Sequence, residues 1–162
     1  MNGFDDGLVA LLPRLRRFAH GLSGNAADAD DLTQVAVERA LRARSQWQPG
    51  TRLDSWLYRI LRNAWIDTAR ARGREAKRTA PAEAGEHVGE DPRPGIEARH
   101  DLAAIMRAMD RLPDEQREAV ALVLIEGLGY REAAEVLDIP AGTLSSRLVR
   151  GRNALLSLIG ED

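Results

Sequence analysis

GTLSSRLVRGRNALL, residues 142–156, decides how this chain is read. On a helical wheel with Leu144 at zero, Leu148, Gly151, Leu155 and Leu158 fall within about forty degrees of it, the 3.6-residue period of a buried stripe. Ser146, Val149, Arg150 and Asn153 lie on the far side, and Arg147 and Arg152 fall toward the flanks. No acidic residue stands on that outward face. A solvated helix face normally mixes charges, so this one suits an anionic partner.

The residues upstream supply the rest of the motif. YREAAEVL (130–137) reads as a short helix and DIPAG (138–142) as a turn, which makes a helix-turn-helix. Ala133 and Ala134 are small enough for two helices to cross closely, Ile139 can plug the corner, and Leu144 and Leu148 seat the second helix on the first. Such a second helix enters the major groove of duplex DNA with its N-terminal residues on base edges. Arg150 suits a guanine, Ser146 several bases and Val149 a thymine methyl. Arg131, Arg147 and Arg152 suit phosphates, which fix register without reading sequence. The competing reading is a plain helical hairpin with basic residues facing water. Asp138 stands where many such turns have glycine, although Asp tolerates a left-handed backbone.

The whole chain of 162 residues is 44% hydrophobic and only 4% aromatic, the balance of an all-α protein, and nothing alternates long enough for a sheet. It has no cysteine, which removes disulfides, a thiol nucleophile and cysteine-ligated zinc, and fits a reducing compartment. The N-terminus reads as no signal sequence, and no apolar run approaches membrane-spanning length. A cytoplasmic location is expected. The net charge of −2 averages unlike segments: residues 39–78 hold eleven Arg or Lys against three acids, and residues 79–118 ten acids against five bases. A basic block inside a neutral chain can still form a local phosphate-binding surface.

Helical spacing runs through Leu8, Leu11, Leu12, Leu15, Phe18, Ala19 and Leu22, with Gly21 and Gly24 at or beyond its end. Acids in NAADADDL suit the start of a second helix, whose buried stripe is Leu32, Val35, Ala36, Ala40 and Ala43. Pro49-Gly50 marks a loop, and a third helix carries Leu57, Ile60, Leu61, Ala64 and Thr68 on one face. Residues 74–98 hold three prolines and almost nothing large and apolar, the composition of a flexible linker. Periodicity resumes at Leu102, Ile105, Met106, Met109 and Leu112, and EQREAVALVLIEGLG follows as a strongly buried helix. The expected organisation is two small helical bundles, residues 1–73 and 99–162, joined by the 74–98 tether.

WQPGTRLDSWLYRILRNAWIDTARARGR concentrates three tryptophans and a tyrosine inside the most basic stretch. Unpaired bases stack on rings while their backbone meets positive charge, and Asn63 could line a pocket for one extruded base. The alternative is core packing, favoured for Trp56 and Trp65 more than for Trp47. DADDLTQ fits either helix capping or docking on a basic protein. Asp28, Asp30 and Asp31 match no calcium loop, the three histidines are scattered, and no phosphate loop or catalytic set is present. No enzyme, cofactor or metal is expected.

DADDLTQVAVERAL, LDSWLYRILRNAWID and LPDEQREAVALVLIEGLGYREAAEVLDIPAGTLSSRLVRGRNALL resemble, in order and spacing, the extracytoplasmic-function sigma factors of bacterial RNA polymerase, over roughly residues 5–72 and 100–158. The resemblance implies that residues 1–73 are sigma region two. Asp31, Leu32 and Gln34 would face the beta-prime clamp of core polymerase. Trp47, Thr51, Tyr58, Asn63 and Asp67 would capture the melted strand of the −10 element, with Arg59, Arg62 and Arg70 along its phosphates. Residues 99–162 would be region four, docking on the beta flap and reading the duplex −35 element with Thr143, Ser145, Ser146, Arg147, Val149 and Arg150, and Arg131 and Arg152 on phosphates. A lysine or arginine is frequent in the family where Ser145 stands, which implies a different −35 preference. The family further implies an anti-sigma protein as regulator, and no membrane insertion. The rival assignment is a helix-turn-helix regulator that binds duplex operators without polymerase, for which the aromatic-basic segment would be superfluous.

Overall fold

The computed structural model describes the backbone of residues 3–78 and 97–160 and the side chains of 3–73 and 102–160. Among the described residues the architecture is all helical, in the order α1 (Gly3–Ser23), α2 (Ala26–Arg42), a 3-10 turn at Arg44–Gln46, α3 (Leu53–Arg78), α4 (Glu97–Asp110), α5 (Asp114–Val120), a π-helical turn at Ala121–Ile125, α6 (Tyr130–Leu137) and α7 (Ala141–Gly160). The tether expected at 74–98 falls largely outside the described residues. Its expected borders move, because α3 continues through Arg78 and α4 starts at Glu97.

Local chemistry sets the helix ends. α1 runs past Gly21 to Ser23, and Gly24, at φ +85°, turns the chain in a conformation that costs glycine little. Asn25 then caps α2: its backbone is extended and its side-chain oxygen accepts from the Asp28 amide at 2.8 Å. The capping residue is thus Asn25. Asp28 instead accepts from the guanidinium of Arg72 at 2.8 and 3.0 Å, which with Asn25 lowers its pKa despite partial burial.

α1, α2 and α3 form the first bundle around Leu15, Phe18, Leu22, Leu57, Tyr58 and Leu61, all nearly inaccessible. Each such side chain contributes about 1.5–3 kcal/mol by leaving water. Phe18 meets Tyr58 edge-on at 5.2 Å between ring centroids, a favourable arrangement of two aromatic quadrupoles. In the second bundle α5, α6 and α7 enclose Val120, Leu122, Leu137, Leu144 and Leu148. Of the periodic positions on and just after α4, Met109 and Leu112 are buried as expected, whereas Leu102 is exposed.

The bundles are not held apart. A Cβ placed on Gly21 of α1 would lie 3.7 Å from the Met109 methyl and 3.8 Å from Ala121 Cβ. Arg117 of α5 donates to the carbonyl of Leu22 at 3.3 Å, and α3 packs along α6. The buried residues of both halves join in one cluster.

Candidate nucleic-acid interface

The outward face of α7 keeps the order read from its sequence. Leu144, Leu148, Gly151 and Leu155 are buried, while Ser146, Val149, Arg150, Arg152 and Asn153 are exposed. Thr143, Ser145 and Arg147 are half-buried, and Arg147 lies 3.8 Å from Glu115 of α5. Arg131, on α6, is exposed.

The elbow that aims α7 is built by Asp138. It ends α6 at φ 56°, ψ 49°, the left-handed conformation that sequence allows to Asp, and the Ile139 amide returns to the Ala134 carbonyl at 3.0 Å. Ala133 and Ala134 are buried where the helices cross, and Ile139 packs against the core.

α3 divides its expected −10 residues between two environments. Arg59, Asn63, Asp67 and Arg70 share an exposed face, with Asp67 3.0 Å from Arg39 of α2. Tyr58 and Arg62 point the other way. Tyr58 is fully buried, its hydroxyl donating to Glu126 at 2.7 Å, and burial followed by that carboxylate pushes its pKa up. Arg62 is half-buried and reaches Glu118 of α5 at 3.4 Å. In this arrangement Tyr58 is out of reach of a DNA strand and Arg62 is only partly exposed, so the expected −10 residues of α3 do not share one surface. The loop before α3 exposes Thr51, whose hydroxyl bonds the Gln48 carbonyl at 2.6 Å. Trp47 is half-buried against Phe4, ring centroids 5.8 Å apart, with its indole nitrogen buried and without a hydrogen-bond partner.

Of the expected polymerase contacts, Asp31 and Gln34 are exposed on α2, but Leu32 is 5% exposed and belongs to the core. Its place in the motif is structural here. The Trp residues follow the packing reading in part: Trp56 meets Phe4 edge-on at 5.9 Å, and Trp65 is half-buried against the core.

Sequence reasoning missed a polar cluster between the bundles. Glu126 has no exposed side-chain surface and accepts from Arg17 at 2.7 and 2.9 Å as well as from Tyr58. Hydrogen bonding to Glu126 raises the Arg17 pKa against the cost of its burial. The π-helical turn sets the position of Glu126, whose amide bonds the Ala121 carbonyl five residues back at 2.9 Å. The only signal in the sequence was an acid closing the apolar run ALVLIE. Among the described residues no group of His, Cys, Asp and Glu could hold a metal ion, and no helix is long and apolar enough to cross a membrane.

A three-helix bundle with an aromatic-basic third helix packs beside a helix-turn-helix whose outward face carries no acid, an arrangement suited to DNA. Residues 8–75 match the family model of sigma-70 region 2, and residues 102–155 that of sigma-70 region 4. The chain is 39% identical to the ECF RNA polymerase sigma factor EcfG of Rhodopseudomonas palustris, over 97% of this chain and 85% of that one. It is 42% identical to the ECF RNA polymerase sigma factor SigE of Mycolicibacterium smegmatis, over 88% of this chain and 56% of the relative. Its fold matches the sigma factor RpoE of Bartonella quintana, solved in complex with the anti-sigma factor NepR, at a TM-score of 0.86 and 31% identity, covering 100% and 99% of the two chains. The chain belongs to the extracytoplasmic-function sigma factors of the sigma-70 family, which are DNA-binding initiation factors rather than enzymes.

Proposed function

We propose that this chain, acting in the cytoplasm, directs core RNA polymerase to a set of promoters by reading duplex DNA with α7 and capturing the melted strand with α3 and the loop before it. The observation that carries this reading is the division of α7 into a buried Leu144–Leu148–Leu155 stripe and an exposed face of Ser146, Val149, Arg150 and Arg152. Such a face meets duplex DNA through base edges and phosphates together. Arg59, Asn63 and Arg70, exposed on α3, supply charge and one amide for unpaired DNA. Asp31 and Gln34 dock on the beta-prime clamp, and the second bundle rests on the beta flap. The polymerase performs the nucleotide chemistry. Two modest DNA contacts on one chain add through effective concentration, so neither has to bind tightly alone.

Regulation by an anti-sigma protein completes the proposal. The Bartonella RpoE that this chain matches along its whole length was solved with one, and the two folds agree across both bundles. The test is run-off transcription from genomic promoters by core polymerase with and without this chain. Arg150→Ala should cost about 1–3 kcal/mol of discrimination at one base pair of the −35 element. Asn63→Ala should leave duplex binding intact and reduce permanganate reactivity of the opened strand. A holoenzyme that initiates nowhere, or binds without melting, refutes the assignment. Footprints of equal strength without polymerase would favour an independent helix-turn-helix regulator.

A further inference from the structure

The first turn of α1 reaches across to the loop that precedes α3. Phe4 is 2% exposed and meets two tryptophans, Trp47 at 5.8 Å and Trp56 edge-on at 5.9 Å between ring centroids. Both are favourable separations for tilted aromatic pairs. Arg44, whose guanidinium stands 5.1 Å over the same ring, pairs with Asp5, the next residue of α1. Further along the helix, Gly7 leaves room for Leu53, whose Cδ2 would be 2.6 Å from a Cβ placed there. Trp47 opens the 47–52 loop, and Leu53 and Trp56 lie in the first turn of α3, so α1 touches both ends of the loop at once.

Between those ends the loop has little to fix its shape. Arg52 pairs with Asp54 beside it, but Gln48, Pro49, Gly50 and Thr51 are all exposed. Gly50 is at φ +91°, and Thr51 donates its amide and its hydroxyl to the Gln48 carbonyl at 3.2 and 2.6 Å, which closes a local turn without anchoring it to the bundle. The Trp47 indole nitrogen is buried without a hydrogen-bond partner, so packing fixes that ring. An exposed loop tied at its ends samples many shapes once one end comes loose. Phe4 also precedes residues 8–75, the stretch matched to region 2, so the family motif does not specify it.

We propose that Phe4 is a positioning residue for strand capture: it joins Trp47 to Trp56 and so holds the 47–52 loop in the shape that accepts unpaired bases. The inference rests on the reading of this loop and α3 as the site for the melted strand. Phe4 itself is too buried to touch DNA and acts through Trp47. A binding-competent shape that is only partly populated weakens binding by that fraction, and most for contacts that depend on close placement. Contacts with bases are of that kind, whereas contacts with phosphates tolerate a shifted loop. Loss of the ring therefore blurs base selectivity in the −10 strand and leaves α7 on the −35 duplex untouched.

Phe4→Leu and Phe4→Met keep apolar bulk at the buried position while removing the ring. Both are made in the full-length chain and assembled with core polymerase. The probe is a fork junction with duplex −35 DNA and a single-stranded non-template −10 segment from a promoter the holoenzyme transcribes; a second fork carries altered −10 bases. The parent should prefer the first fork. Both variants should lose roughly three- to tenfold of that preference, with affinity for a duplex −35 probe unchanged. With 5-fluorotryptophan incorporated, the Trp47 fluorine resonance, identified through Trp47→Phe, should be sharp in the parent and broadened or split in the variants. Asp5→Ala, at a half-exposed ion pair, should change the preference by less than about twofold. Undiminished preference in either Phe4 variant, or a Trp47 resonance that stays sharp, overturns the brace. So does a parallel fall in −10 and −35 affinity, which would make Phe4 a core residue only. An Asp5→Ala effect as large as theirs would assign the change to charge and overturn it too. A parent holoenzyme without any preference sinks the strand-capture reading and the brace with it, whereas a preference that the variants share undiminished sinks the brace alone.

Discussion

Gly151 fixes how closely α7 lies against α5. A Cβ placed there would stand 2.8 Å from Val120 Cγ2 and 3.1 Å from both the Cβ and the carbonyl oxygen of Gln116. Carbon atoms prefer about 3.5–4.0 Å, so Gly151→Ala demands a shift of roughly half an ångström to one ångström. Val120 is fully buried and stiff at χ1, and the Gln116 oxygen is backbone, so neither yields cheaply. Overpacking of this kind costs about 1–3 kcal/mol, while replacing a mid-helix glycine by alanine returns about 0.5–1 kcal/mol. The packing cost wins, and the net effect is a destabilisation of about 0.5–2 kcal/mol. That lowers Tm by about 2–4 °C for each kcal/mol in a chain of this size. Gly142→Ala is the control: it lies on the same helix, exposed, with nothing within 4 Å of a new Cβ, and should be neutral or stabilising. Urea unfolding of the two variants beside the parent measures the difference. Stability for Gly151→Ala equal to or above that of Gly142→Ala would refute the close apposition of α5 and α7.

Glu118 gives a pH test: burial raises its pKa above the ordinary 4.5 even though Arg62 opposes the shift. A carboxyl raised on folding makes its contribution below the unfolded value and loses it as pH rises through the folded one. Glu118→Gln, which keeps the shape of the protonated form, should therefore gain in Tm relative to the parent between pH 4.5 and neutrality; a constant difference would contradict this. Asp138→Gly should hold or slightly raise Tm, whereas Asp138→Val should lose about 1–2 kcal/mol because its φ is 56°. Asn25→Ala removes the cap on the Asp28 amide and should cost about 1 kcal/mol, read from the urea midpoint; no change would mean that Asp28 or water replaces the cap.

The elements that sequence reveals best are those whose residues answer to neighbours on the same helix. The α7 stripe, the small residues at the helix crossing and the left-handed Asp138 were all legible, because period and turn chemistry are local properties. Leu32 shows where motif reasoning outran geometry. It stands between Asp31 and the exposed Gln34 in the stretch expected to dock on polymerase, yet the helical period places it inward with Ala36 and Ala40. Tyr58 and Arg62 leave the exposed face of α3 for a different reason. Four residues apart on one face of α3, they are donors that suit DNA or acids equally, and only the position of the second bundle decides between them. Gly21 carried an equally ambiguous signal. Glycine near a helix end suggests termination, but here it lies inside α1 and makes room for Met109.

The same geometry changes the meaning of the net charge. Averaging an acidic segment against a basic block treats them as strangers, but where the bundles meet they are partners: Glu118 with Arg62, Glu126 with Arg14 and Arg17, Glu132 with Arg52. Separating the bundles would leave total charge unchanged while uncovering a basic surface along α1 and α3 and an acidic one on the second bundle. Salt would screen the half-exposed Arg52–Glu132 pair within about 10 Å at moderate ionic strength, yet hardly touch the buried Glu126 cluster. Moderate salt should thus weaken the phosphate contacts of an open chain more than the contacts that hold the chain shut. Near-neutrality in this protein is a sum over both bundles, and it hides a basic surface along α1 and α3 that the acids of the second bundle cover.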